Sequence, residues 1–559
     1  MANLSQQRRE RMLAFLETLK EQHTDDDSLI ALGEIEKELK SKKYGLVWEE
    51  HEEAVDVQMK TQIPVFTEIK EKEICADENG AYNFLLEGDN LHSLYLLEKT
   101  HRGKIDVIYI DPPYNTGSRD FIYDDKYIDS VDGFRHSKWL SFMAKRLLLA
   151  KSLLSDKGVI FISISDIELY NLKLLCDSIF GESNFVANLV WTNKEGGGSS
   201  DSKLFRIKQE YVLVYAKCIE NIDIKGVSIG NADRYKSSDE YEKIRGKYYL
   251  QKLGMGSIQY SSSLDYPIEC PDGTFVTPRE NNGGKKACWR WSKIKFDWGC
   301  ENGFIEMKKD KNGTWVVYTK QYMNCNNKGD IIERTQRPMG VIDLFSSTQG
   351  AKQIKNILTS STFSYPKDTN LVTWLLDRID IKNATILDFF AGSGTTGQSV
   401  MELNRQDGGH RKFILCTNNE NGICEEVTYQ RLKTVITGKR ADGSEYSEGI
   451  SANLKYFKTD FVDKDSEELS DELLEHIAEM IELEHGIKVD NKKYVMILTD
   501  EEMDEFERNI TSYTDLKAVF VNQDILLSAT QQKLLDNLSS YVIPDYYFDF
   551  ELREAGELW

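Results

Sequence analysis

The chain has 559 residues, of which 40% are hydrophobic and 29% charged, and its formal net charge is -22. That is several domains' worth of a soluble globular protein, long enough to bury a sizeable core, and its apolar runs are strand-sized rather than membrane-sized. The nine cysteines (75, 176, 218, 270, 288, 300, 325, 416 and 424) form no CxxC pair, which argues against a disulfide framework and a conventional zinc site; four of them, Cys270, Cys288, Cys300 and Cys325, share one region, so an unusual four-thiolate site stands as the alternative to buried free thiols.

The first stretch, 1–80, is helix-rich and charged. "MANLSQQRRERMLAFLETLKEQ" is amphipathic through Met12, Phe15, Leu16 and Leu19 and lacks a signal peptide's long apolar region, so the chain reads as cytoplasmic, with no membrane segment. From Tyr82 strands alternate with helices, the pattern of a parallel α/β sheet. "NFLLEGDNLHSLYLL" is a strand and a helix, "KIDVIYI" a second strand, residues 135–154 an amphipathic helix and "GVIFISI" a third strand. Residues 191–350 lose this rhythm and are mildly basic, with 25 Lys and Arg against 20 Asp and Glu. The rhythm returns at 371 with helix "LVTWLLDRI", strand "ATILDFF", turn "AGSGTTG", strand "KFILCTN" and helix "VTYQRLKTVI". Residues 461–559 hold 8 basic and 25 acidic residues in mixed helix and strand patterns, which makes them a folded acidic region suited to a protein interface rather than to DNA. One sheet interrupted by a large insert fits this order better than two half-sized sheets.

Two strand ends carry the chemistry. In "IDVIYIDPPYNTG" a buried strand stops at an acid, two prolines and a tyrosine, because proline cannot extend a central strand. An exocyclic amine on a heterocycle is a poor nucleophile, its lone pair being delocalised into the ring. Two acceptors aimed at its hydrogens, the Asp111 carboxylate and the Pro112 carbonyl, favour a pyramidal nitrogen. Pro112 and Pro113 fix the direction, and Tyr114 offers a ring face to a base that has left its duplex. In "ILDFFAGSGTTGQSV" a strand ends at Asp388 to Phe390, Gly392 and Gly394 allow a tight turn, and Thr395 and Thr396 open a helix, a geometry for a cofactor across the sheet's C-terminal edge. Gly392, Gly394 and Gly397 also satisfy GxGxxG, so taken alone the turn leaves a dinucleotide site open.

DPPYNTG with a later FAGSGTT resembles the S-adenosylmethionine-dependent amino-methyltransferases of the beta group, in which the catalytic motif precedes the cofactor motif. "KYGLVWEEHEE", "FLLEGDNLHSLYLL", "RWSK", "FSYPKDTNLVTWLLDRI" and "EEVTYQRLKTVI" are similar, in order and spacing, to the Mod subunits of type III restriction-modification systems, over about residues 43–460. The paired motifs set the dinucleotide reading aside.

The resemblance implies a Rossmann-like methyltransferase sheet in two parts, 81–190 and 351–440, interrupted by a target-recognition domain at 191–350. A helical N-terminal region at 1–80 and an acidic α/β region at 441–559 flank it. It implies Asp111, Pro112, Pro113 and Tyr114 as the catalytic set. S-Adenosylmethionine would lie against Asp388, Phe390, Gly392, Ser393, Gly394, Thr395 and Thr396, with Lys367 facing its carboxylate and Asp89 nearby; a helix N-cap is the equal reading for Asp89. Glu420 or Asn418 would meet the ribose, and no metal is implied. "YPKD" departs from the family, which carries a second proline after the lysine. Asp rather than Ser at the head of DPPY favours adenine N6 over cytosine N4. In the insert, "NNGGKKACWRWSKIKFDW" interleaves basic and aromatic residues, so Arg290 and Lys293, with Lys194 and Lys203 near the flexible "EGGGSSDSKLF", are expected to contact double-stranded DNA, while Trp289 and Trp291 are expected in a core. The implied partners are DNA, a second copy of the chain and a separate restriction (Res) nuclease and translocase subunit. An orphan methyltransferase, an RNA or protein amino-methyltransferase and a non-enzymatic specificity subunit are the alternatives.

Overall fold

A computed structural model of the chain describes residues 4–23, 25–40, 48–49, 51–123, 126–129, 132–193, 205, 207–228, 232–256, 259–358, 363, 365–543 and 545–555. They form two compact units, one of residues 1–223 and 340–559 and one of residues 224–339.

The larger unit is built on a ten-stranded sheet. Its strands are β1 (Gln62–Glu68), β2 (Tyr82–Glu87), β3 (Ile105–Ile110), β4 (Leu154–Ile164), β5 (Phe185–Trp191), β6 (Glu210–Ala216), β7 (Val341–Ile342), β8 (Thr385–Asp388), β9 (Lys412–Thr417) and β10 (Asn453–Asp463). They lie in the order β1-β10-β2-β9-β8-β3-β4-β6-β5-β7. The six from β10 to β4 are mutually parallel, while β1 and β6 run against their neighbours. Parallel strands buried on both faces read as continuous apolar runs, and β3 is such a run, with only Asp106 not fully buried. Helices Asn90–His101, Arg135–Leu153 and Leu169–Phe180 pack side by side, as do Thr369–Asp377, Thr395–Asp407 and Gln430–Thr437. These are the helical layers of a doubly wound sheet.

The winding reverses between β8 and β3: β8 is followed on one side by β9, β3 on the other by β4. Their register pairs Ile386 with Val107 and Leu387 with Ile108, so Asp388 and, two residues further along the neighbouring strand, Asp111 leave the sheet at adjoining points of its C-terminal edge. In open parallel sheets that switch point is where ligands bind.

The region boundaries shift where strands recruit distant chain. "EYVLVYA" is β6, paired antiparallel with β4 and β5, so residues up to 223 and from 340 belong to the sheet unit and the inserted unit is narrower than 191–350. Residues 62–68 and 453–463 likewise form the edge pair β1 and β10. The acidic region is folded, with a three-stranded parallel sheet of Tyr494–Ile497, Ala518–Asn522 and Ser540–Ile543. It shares the main core through Leu473, Ile477, Phe520, Ile543 and Phe548.

The smaller unit holds 20 basic and 14 acidic residues, a net of +6. A three-stranded antiparallel sheet of Tyr248–Lys252, Trp315–Tyr322 and Ile305–Lys309 packs with helix Lys293–Glu301 around Trp289, Trp291, Phe296, Phe304 and Tyr322. Its two ends are stitched together by pairing of Val227–Ser228 with Thr335–Gln336.

Among the described residues no helix is long and apolar enough to cross a membrane, and no three potential metal-ligating side chains gather. Of the four neighbouring cysteines Cys300 is exposed and the others buried.

Candidate active site

Asp111 follows β3 directly, and Lys367 Nζ lies 2.9 Å from its Oδ1. The same ammonium donates to the Tyr114 hydroxyl at 2.8 Å and lies 3.4 Å from Glu210 Oε2. Tyr114 in turn donates to Glu210 Oε2 at 3.0 Å, and Asn193 Nδ2 donates to Glu210 Oε1 at 2.5 Å. The three charged side chains keep 24%, 12% and 21% of their surface for Asp111, Lys367 and Glu210, enough for a ligand to reach them and little enough to strengthen their interaction. Burial pushes the Asp111 carboxyl up, Lys367 draws it down and Glu210 pushes it up again; the balance is upward. Burial pulls the Lys367 ammonium down, but the Asp111 and Glu210 carboxylates outweigh it and hold it above its ordinary range. Burial and the same carboxylates raise the Tyr114 phenol far up, so it stays protonated.

The turn after Asp111 is anchored from behind. Fully buried Trp139 donates from Nε1 to Pro113 O at 2.8 Å. Asn115 sits at φ +55°, a left-handed conformation Asn tolerates, and donates to Glu168 Oε1 at 2.6 Å. Glu168 is fully buried and also meets His136 Nδ1 at 2.6 Å.

On the neighbouring strand, Asp388 closes β8. Its Oδ1 accepts from Phe390 N at 3.0 Å and its Oδ2 from the Thr396 hydroxyl. Burial raises this carboxyl to about 7 against the pull of those two donors. Gly392 and Gly394 take φ of +49° and +75°, the left-handed conformation this turn requires. A Cβ on Gly394 would stand 3.1 Å from Thr428 Cγ2, in the π-helical segment Ile423–Tyr429. Thr428 Oγ1 also lies 2.5 Å from Gly392 O. Behind the turn is Arg431, fully buried, donating to Ser393 O at 3.2 Å, Ser393 Oγ at 3.0 Å, Thr395 Oγ1 at 2.8 Å, Thr369 Oγ1 at 3.0 Å and Gln398 Oε1 at 2.8 Å. The Ser393, Thr395 and Thr396 hydroxyls are thus turned inward, and within the turn only Gly392 is partly exposed, offering backbone alone.

The fold therefore brings Asp111, Tyr114 and Lys367 together and sets the glycine turn on the adjacent strand. Asp89 caps helix Asn90–His101, its Oδ1 accepting from Leu91 N at 2.7 Å, and is 3.2 Å from buried Arg146, which is itself held by Glu53. Asn418 is the first residue after β9, whose end lies beside that of β8, and Glu420 opens the short turn Glu420–Gly422. Phe390 is half-buried, its ring 5.8 Å from that of Phe142. In the smaller unit Trp289 and Trp291 are core residues as expected. Arg290, however, is largely committed internally, with Nη1 on Gln251 Oε1 and Nη2 on Thr319 Oγ1, both at 2.8 Å. Lys293 is exposed beside Asp297. Lys194, Lys203 and most of the glycine-rich loop lie outside the described residues. Glu210, Glu168, His136 and Arg431 were not singled out by the sequence; the one local sign is an acid at the mouth of the apolar strand "EYVLVYA".

Paired strand ends of this kind, one a DPPY turn and one glycine-rich, define a class, and comparison with known proteins agrees: the chain belongs to the DNA methylase family, which it matches over residues 105–429. Within that family it is similar to the StyLTI Mod subunit, a type III restriction-modification enzyme of Salmonella typhimurium, at 33% identity over 64% of this chain and 56% of the relative. It is similar to the EcoPI Mod subunit of Escherichia phage P1 at 31% over 62% and 58%. The type II methyltransferase M.KpnI of Klebsiella pneumoniae is 32% identical over 67% of this chain and 90% of its own length. The chain thus spans little more than half the length of those two Mod subunits.

Proposed function

We propose that this protein methylates the N6 amine of adenine within a short DNA sequence, using S-adenosylmethionine, as the modification and recognition subunit of a type III restriction-modification system. The observation that carries the reading is the adjacency of Asp111 and the glycine turn at the switch point of the sheet. The residues suit such a cofactor: Gly392, partly exposed and held at φ +49°, offers backbone without a side chain, and the Asp111–Lys367 pair lies at the end of the adjoining strand. Phe390, the turn 392–396 and Asn418 or Glu420 would hold it, with Lys367 and Asp89 at the crevice. When bound, it supplies a methyl group already activated by a positive sulfur, so alignment matters more than a strong base.

The chain's residues do the aligning. Asp111 Oδ1 and the Pro112 carbonyl accept the amine's hydrogens and turn its lone pair toward the methyl. Tyr114, its hydroxyl anchored by Lys367 and Glu210, presents a ring to an adenine rotated out of the duplex. Asp111 orients the nitrogen, and the proton leaves to solvent afterwards. Double-stranded DNA would be gripped by the basic smaller unit, Lys293 included. Similarity to the Mod subunits of type III restriction-modification enzymes supports a restriction (Res) subunit as partner; a second copy of the chain and a cytoplasmic setting belong to the same proposal.

The test is to incubate the protein with S-adenosylmethionine and unmethylated genomic DNA and map modified bases by single-molecule sequencing, with Asp111→Ala as control. N6-methyladenine on one strand of an asymmetric site, absent in the control, is the expected result. The near-complete coverage of M.KpnI favours a second reading, a stand-alone methyltransferase, which would instead mark both strands of a palindrome. Methyl transfer to no DNA would remove both readings.

A further inference from the structure

The reaction just described needs Asp111 to receive hydrogens from an incoming amine, yet its carboxylate already lies 2.9 Å from an ammonium. The ammonium directs its hydrogen bond to Tyr114 and leaves the buried Asp111 Oδ1 without a hydrogen-bond partner, but Asp111 and Lys367 alone would still be a neutral ion pair that an entering base would have to separate. A second carboxylate alters this. Glu210 Oε2 is 3.4 Å from the same Nζ and receives the Tyr114 hydroxyl at 3.0 Å, while Asn193 fixes Oε1 at 2.5 Å. Two carboxylates share one ammonium, which leaves one surplus negative charge beside a nitrogen that gains positive charge as it forms its new bond.

Resting on the function proposed above, we infer that Glu210 is a positioning residue for methyl transfer: it shares the Lys367 ammonium with Asp111, takes the Tyr114 hydroxyl onto its own carboxylate and so leaves Asp111 able to accept from the target amine. Glu210 opens β6, antiparallel to β4, the strand beside β3, so it faces the DPPY turn from outside that motif. Lys367 comes from the segment leading into helix Thr369–Asp377. One ammonium between two fixed carboxylates is a two-position device in which small movements exchange the nearer partner.

Asp111 is faced by Lys367, by Glu210 on β6, by Tyr114 in its own turn, by Tyr109 on β3, whose hydroxyl meets Ser163, and by Asp388 on β8. Lys367 favours its ionised form and Glu210 opposes it. The two neighbours therefore have opposite effects on the acidic limb of the kcat profile, where Asp111 must be ionised to accept a hydrogen.

The experiment is steady-state methylation of DNA by the full chain across pH. Glu210→Gln is expected to lower kcat about tenfold or more with KM for DNA and cofactor nearly unchanged, the mark of an interaction made at the reacting centre. It is also expected to move the acidic limb of kcat to lower pH, whereas Lys367→Met moves it to higher pH. A role confined to stability would not split the two variants in opposite directions. If Glu210→Gln does not fold, Glu210→Asp, which keeps the charge but withdraws it from Nζ, is expected to lower kcat at constant KM. An undiminished kcat in the folded variant, or a loss confined to KM, overturns the proposal while leaving the methyltransferase reading intact. A wild-type chain that methylates no DNA overturns the reading beneath it.

Discussion

Arg431 is a buried guanidinium with no carboxylate in hydrogen-bond contact among the described residues, its charge spread over five neutral acceptors, four of them on or beside the glycine turn. Burial pulls its pKa down to about 10, still far enough above neutrality to keep it charged. Arg431→Met would leave those acceptors buried and unpaired, so we expect a loss of about 3 kcal/mol or more in urea unfolding. Arg431→Lys should recover little of it, since one ammonium cannot span the fork. Asp388 makes a pH prediction. Its folded pKa, raised to about 7 by burial, lies above its ordinary value, so its contribution is whole below about pH 4 and is lost as pH rises through 7. Melted beside Asp388→Asn, the wild type should lose relative stability between those limits, by at most about 4 kcal/mol, and then level off. A difference independent of pH would contradict this.

At the scale of elements, the glycine turn is shaped by the π-helical segment behind it. π-Helical turns are uncommon and cluster at functional sites; here one brings the Thr428 hydroxyl to Gly392 O. Thr428→Val keeps the shape and removes the bond. It should cost about 1 kcal/mol in unfolding and weaken S-adenosylmethionine binding in titration calorimetry, with Asp111 chemistry at saturation little changed. This element also marks how far the sequence could be read. DPPY and AGSGTTG were legible because each is local: an apolar run stopped by residues that cannot continue it. Glu210, 96 residues from Tyr114, was not, since an acid opening a strand looks the same whether it faces water or a lysine. Arg431 has the helical spacing of any surface arginine, and only the packed turn turns it inward. Arg290 shows the opposite ambiguity: alternating basic and aromatic residues suit a DNA-facing surface, but an antiparallel sheet also holds guanidinium groups on its own Gln and Thr side chains, as it does here.

For the whole molecule, the unit of residues 224–339 has its own tryptophan-rich core and ends joined by a short ladder. Such a unit should fold alone. Expressed separately, it is expected to unfold cooperatively by circular dichroism, and, with its net charge of +6, to bind duplex DNA weakly with an affinity that falls steeply as salt is raised. Non-cooperative melting would show that its core depends on the rest of the chain. The acidic region behaves differently: it contributes Ile477, Phe520 and Phe548 to the main core, so removing residues 464–559 should expose apolar surface and cost the sheet unit its solubility, as measured by recovery in the soluble fraction.

The strand order also governs how the protein can be made. β2 waits between β9 and β10, and β3 lies against β8, so the DPPY turn is synthesised some 275 residues before the strand that seats the glycine turn beside it. Contacts so distant in sequence form late and slowly. A ribosome that stops anywhere before residue 385 releases a chain with its DPPY turn but without the neighbouring strand. On the function proposed above, the site would be completed only as a single late event in each round of translation, and chains truncated before residue 385 are expected to transfer no methyl group to DNA.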